Sequence, residues 1–101
     1  MMKLEIKDLN DILSMLRNSK FDYVKWRDLG LELGLNLIRV NLIENDNPQD
    51  TEARLKRTLE IWLNRIDDVD KKGGATWKAL VDALEKIGQK PVAEKIKDYI
   101  D

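Results

Sequence analysis

The chain has 101 residues, enough for one domain around one hydrophobic core, and 43% of them are apolar and 37% charged. Its 18 basic and 19 acidic residues give a net charge of −1, which argues against the extended basic surface of a general nucleic-acid binder. Cysteine and histidine are both absent, which excludes disulfide frameworks, thiolate or imidazole metal sites and histidine-based catalysis. No run is long and apolar enough to span a membrane, and Glu5, Lys7, Asp8 and Asp11 interrupt any signal-peptide core. The expectation is a soluble, cytoplasmic, single domain over residues 1–101.

Apolar residues recur with helical period along most of the chain, without alternating strand patterns. Leu9, Ile12, Leu13 and Leu16 mark a first helix with Asp8 as N-cap. After the break Asn18-Ser19-Lys20, Asp22 caps a second helix and Phe21 staples onto Trp26. Trp26, Leu29 and Leu33 form its inward stripe, and a left-handed Gly34 ends it. Asn36 caps a short third helix with Leu37, Ile38, Val40, Leu42 and Ile43, which runs out in Glu44-Asn45-Asp46-Asn47. Pro48 suits a first helical position, and either Asn47 or Asp50 caps the fourth helix. Leu55, Leu59, Trp62, Leu63 and Ile66 make that helix the longest amphipathic element. Residues 67–74 read as a polar loop. Thr76 caps a fifth helix with Trp77, Leu80, Val81 and Leu84 inward, closed by Gly88; Pro91 opens a sixth with Val92, Ile96 and Ile100. Six helices joined by loops of about 2–8 residues predict an all-α antiparallel bundle with Trp26, Trp62 and Trp77 in its core.

Patterns that carry chemistry are sparse. Asp67, Asp68 and Asp70 form a carboxylate cluster. A hydrolytic pair needs two carboxylates in unlike environments within a cleft, and a calcium loop needs alternating ligands with a distal bidentate Glu. The run fits neither and reads as a solvated loop. Helices two and three suggest a helix-turn-helix, but residues 36–47 offer only Arg39 against Glu44 and Asp46, a balance that repels DNA. No catalytic group, cofactor or metal is expected, and no nucleic acid, small-molecule substrate or inserted membrane as partner.

The outward faces are more informative. At about 100° per residue, Arg57, Ile61 and Asn64 fall opposite the apolar stripe of the fourth helix, with Arg54 beside them. On the second helix Val24 and Leu31 point away from Trp26, flanked by Arg27 and Asp28. If Val40 and Ile43 face inward on the third helix, Ile38 and Leu42 face out, next to Arg39. Apolar residues grouped on adjacent helices form a patch of the kind that partners cover, with charge at its rim.

The string Trp26-Arg27-Asp28-Leu29-Gly30-Leu31-Glu32-Leu33-Gly34-Leu35 resembles the death-domain signature W-x-x-L-A-x-x-L-G-L. Val40-Asn41-Leu42-Ile43-Glu44 is similar to the I-x-x-I-E that follows it, and Leu59 with Trp62-Leu63 to its L-x-x-W-L. Thr76-Trp77, Leu80, Ala83-Leu84, Gly88 and Ala93-Glu94-Lys95-Ile96 resemble its closing segment, so the ordered match runs from about residue 22 to 100. Gly30 stands where the family usually has alanine, a change that costs about 0.5–1 kcal/mol inside a helix and is expected to mark close packing.

The resemblance implies a six-helix Greek-key bundle, the death fold, acting as a non-enzymatic adaptor-type module in intracellular signalling of the apoptotic or innate-immune kind. It implies partners that are other death domains, of the same or a different chain. The surfaces it implies are helices one and four against helices two and three. Arg54 and Arg57 would then meet acidic groups such as Asp28, Glu32, Glu44 or Asp46 of a neighbour. A structural or autoinhibitory bundle packed against other domains of a longer chain is the alternative reading.

Overall fold

The structure, a computed structural model, describes residues 3–100. Three side-chain caps set helix starts. Asn36, Asp50 and Thr76 accept hydrogen bonds from the backbone N–H groups of Arg39, Ala53 and Ala79 at 2.9, 3.1 and 3.1 Å, satisfying donors that a first turn leaves unpaired. They precede α3 (Leu37–Asp46), α4 (Thr51–Leu63) and α5 (Trp77–Lys86); α1 (Leu9–Asn18), α2 (Trp26–Leu33) and α6 (Lys90–Ile100) complete the six α-helices, with no strand among the described residues. A short 3-10 turn at Ile6–Asp8 precedes α1, and two more, Tyr23–Lys25 and Asp70–Lys72, lie between α1 and α2 and between α4 and α5.

Some boundaries differ from the sequence expectation. Asp8 precedes α1, but its carboxylate accepts from the Glu5 N–H at 2.8 Å and so closes the turn before the helix. Asp22 accepts from the Val24 N–H at 3.2 Å and caps the 3-10 turn, which delays α2 to Trp26. Asp50 rather than Asn47 caps α4, and Pro48 lies outside it.

Helix α4 runs through the middle of the antiparallel Greek-key bundle, in contact with α1, α2 and α3, while α5 packs on α6 and α2. Leu55, Thr58, Leu59, Ile61, Trp62 and Leu63 of α4 are therefore all buried. Leu29, Leu59 and Leu84 are fully buried around Trp26 and Trp62. Trp77 departs from the expected trio. As the first residue of α5 it is only partly buried, and its ring meets Tyr99 of α6 edge-on at 6.1 Å.

The α2–α3 corner depends on Gly34, whose φ of +115° suits glycine. A Cβ there would lie 2.8 Å from the backbone of Asp68 and Val69, and the Gly34 carbonyl accepts from the Asp68 N–H at 2.9 Å. The corner thus rests directly on the loop after α4, which positions the outer faces of α2 and α3.

Candidate interaction surface

Helix α3 has apolar residues on too many sides for any rotation to bury them all. It turns Val40 and Ile43 into the core, while Leu37, Ile38 and Leu42 remain exposed, Ile38 at 73%. Val24, in the turn leading into α2, is 75% exposed. Arg27, one turn on from Val24, donates to Asn41 Oδ1 at 2.8 Å, and its guanidinium lies 4.0 Å from Glu44. These contacts hold the outward faces of α2 and α3 side by side. Asp28 is exposed beside them, 3.8 Å from Lys25. Leu37 belongs with the exposed apolar set although the sequence reading did not turn it outward. The signal was there, since it precedes Ile38 at the start of a helix with no single apolar stripe.

Four residues expected on outward, partner-facing surfaces sit differently. Ile61 is 3% exposed, a core residue, because α4 is covered on most of its circumference. Leu31 is partly buried against the core, in a shallow groove with Asp28, Glu32, Lys86 and Ile87, because α5 packs alongside α2 there. Arg54 folds back on its own chain: Nε donates to the Asn47 carbonyl at 2.7 Å and Nη2 to the Pro48 carbonyl at 2.8 Å. Its guanidinium also lies 5.8 Å from the centre of the buried Trp26 ring. Two carbonyls just after α3 and the face of Trp26 outcompete solvent for that cation.

Arg39 is the fourth. Its Nε and Nη2 donate to the Asp67 carboxylate at 3.2 and 3.3 Å, and Asp67 accepts also from the Asn36 N–H at 3.3 Å. The Asp67 side chain is only 9% exposed. The Arg39 hydrogen bonds, helped by that N–H and opposed by burial, hold its carboxyl below the usual carboxylate range. Asp70 is likewise lowered, first by its 2.6 Å bond from Arg65. The run 67–70 is thus not simply a solvated loop: Asp67 ties α3 to the segment after α4 and Asp70 ties that segment to Arg65. Arg57 keeps the expected outward position, exposed and 3.9 Å from Glu60, with Lys56 exposed beside it.

The outer side of the all-α bundle thus combines exposed apolar residues on α3 with a charged rim from α2 and α3. The family model of the death domain matches residues 6–100. The chain belongs to the death-domain family, whose members are protein-interaction modules. The match takes in α1, ahead of the motifs that begin near residue 22. No curated protein and no solved structure matches the chain. No helix among the described residues is long and apolar enough to cross a membrane.

Proposed function

We propose that the protein assembles with other death domains in intracellular signalling, without catalysis, through the outer face of α2 and α3. The observation that carries this reading is the exposure of Val24, Leu37, Ile38 and Leu42 next to the Arg27–Asn41–Glu44 contacts. Apolar area at the centre supplies affinity, at about 25 cal/mol per Å² removed from water. Arg27, Asp28 and Glu44 at the rim set orientation. Arg57 and Lys56, exposed on α4, supply basic charge that complements Asp28, Glu44 and Asp46 on the α2–α3 face of another copy. A contact between two unlike surfaces is heterologous and propagates from copy to copy.

Sedimentation velocity across protein concentration and salt tests the reading. Self-association that weakens with added salt and disappears in Ile38→Asp is the expected result. A folded chain that stays monomeric at every concentration, alone and with other death domains, would sink it.

A further inference from the structure

A second surface is lined by residues that the proposed α2–α3 interface does not use. The Leu4 N–H donates to the Ala75 carbonyl at 2.7 Å, pinning the N-terminal segment along the start of α5. Between that segment, α1 and the last turn of α6 opens a groove of about 490 Å³ lined by Leu4, Asp8, Asp11, Trp77, Tyr99 and Ile100. Its chemistry divides in two. Trp77 and Tyr99, the latter 61% exposed, form an edge-packed aromatic pair on this wall, and Asp8 and Asp11 stand in the same lining, with no basic side chain among its described residues. Asp11 is exposed and joins no ion pair among the described residues.

We infer that this groove binds an arginine-bearing apolar segment of a partner protein. Aromatic faces attract a cation through the ring quadrupole, and a guanidinium also stacks on them. The Asp11 carboxylate, with the negative charge of Asp8 beside it although Asp8 also accepts from the Glu5 N–H, completes the match in charge. The start of α1 contributes roughly half a positive unit there, which two full negative charges outweigh. The last turn of α6 brings the negative end of its own dipole to the aromatic wall. Leu4 and Ile100 supply apolar contact for the side chains next to the arginine. The proposal does not rest on the homotypic reading, which uses other residues.

The experiment titrates the chain with acetyl-Leu-Arg-Leu-Arg amide, using the Gln and Glu versions of the peptide as controls, and follows two-dimensional NMR spectra. Trp26 and Trp62 are buried, so the Trp77 indole N–H is the reporter at the groove. Expected is a shift of that signal with the arginine peptide, weaker at high salt, and an affinity lowered roughly two- to fivefold in each of Asp11→Lys and Tyr99→Ala. Both positions are exposed, and unchanged spectra elsewhere certify the fold. Equal binding of the Glu or Gln peptide would overturn the inference, as would binding unaffected by the two substitutions. So would a Trp77 shift that appears on concentrating the chain alone, which would assign the groove to a second copy.

Discussion

Gly30 of α2 and Thr58 of α4 stand so close that a methyl group on Gly30 would lie 3.1 Å from Thr58 Cγ2. Thr58 is fully buried and its hydroxyl donates to the Arg54 carbonyl at 2.8 Å, which holds Cγ2 where it is. The glycine that breaks the family's alanine pattern thus permits a near approach of the two helices. Gly30→Ala gains about 0.5–1 kcal/mol in helix propensity but forces that contact, and a net loss of about 1 kcal/mol is expected in denaturant unfolding. In a Thr58→Ser background, where Cγ2 is gone, the same alanine should stabilise. A stabilising Gly30→Ala in the parent chain would mean that the helices separate at little cost.

Gly34 and Gly88 separate two reasons for needing glycine. Both have positive φ, +115° and +85°, but a Cβ on Gly88 meets nothing within 4 Å whereas one on Gly34 meets backbone at 2.8 Å. Gly88→Ala should cost about 1–2 kcal/mol, the left-handed penalty alone. Gly34→Ala should cost distinctly more and disturb the α2–α3 corner, visible as widespread amide shifts around Asp68.

The Arg39–Asp67 tie makes a pH prediction. A carboxyl held below its ordinary pKa stabilises the fold above that ordinary value, about 3.9, and loses the contribution as pH falls through the folded-state value. Asp67→Asn removes the charge while tolerating the φ of +58°. At pH 7 the variant should be about 1–2 kcal/mol less stable, a modest figure because the Arg39 side chain is over a third exposed. The gap between the two proteins should begin to narrow near pH 4 and go on narrowing as the pH falls further. Parallel stability curves from pH 7 to 3 would show that the charge contributes nothing.

Leu31 and Ile38 discriminate core from surface on neighbouring helices. Ile38→Asp should leave stability within about 0.5 kcal/mol and abolish assembly. Leu31→Asp should cost about 1–3 kcal/mol, because its side chain packs on the core. Thermal melts alongside sedimentation read both quantities.

Arg54 and Arg57 make the same comparison for charge. Arg57→Glu should keep the fold and weaken association in a salt-dependent way. Arg54→Ala should lower stability by about 1–3 kcal/mol, since it removes two hydrogen bonds to carbonyls and the cation over Trp26. An Arg57→Glu chain that assembles normally would remove α4 from the interface.

Periodicity and capping chemistry were enough to read six helices, the Asn36 and Thr76 caps and the Gly34 stop, because these depend on neighbours within one or two turns. The ordered motifs also identified the family, and the outward position of Ile38, Leu42 and Arg57 followed from simple rotation about a helix axis. Rotation alone failed for Ile61 and Leu31. How much of a helix is buried depends on how many neighbours it has, and α4 has them on most sides while α5 covers one flank of α2. Charges were legible as types but not as pairs. Arg39 meets Asp67 across 28 positions of sequence and Arg17 meets Glu52 across 35, distances that no local pattern encodes. The groove between Trp77, Tyr99 and Asp11 was likewise invisible, since it exists only where Leu4, the first turn of α1, the start of α5 and the last turn of α6 converge. Local chemistry determined the elements and the family; the partners of each side chain were decided by packing among elements far apart in sequence.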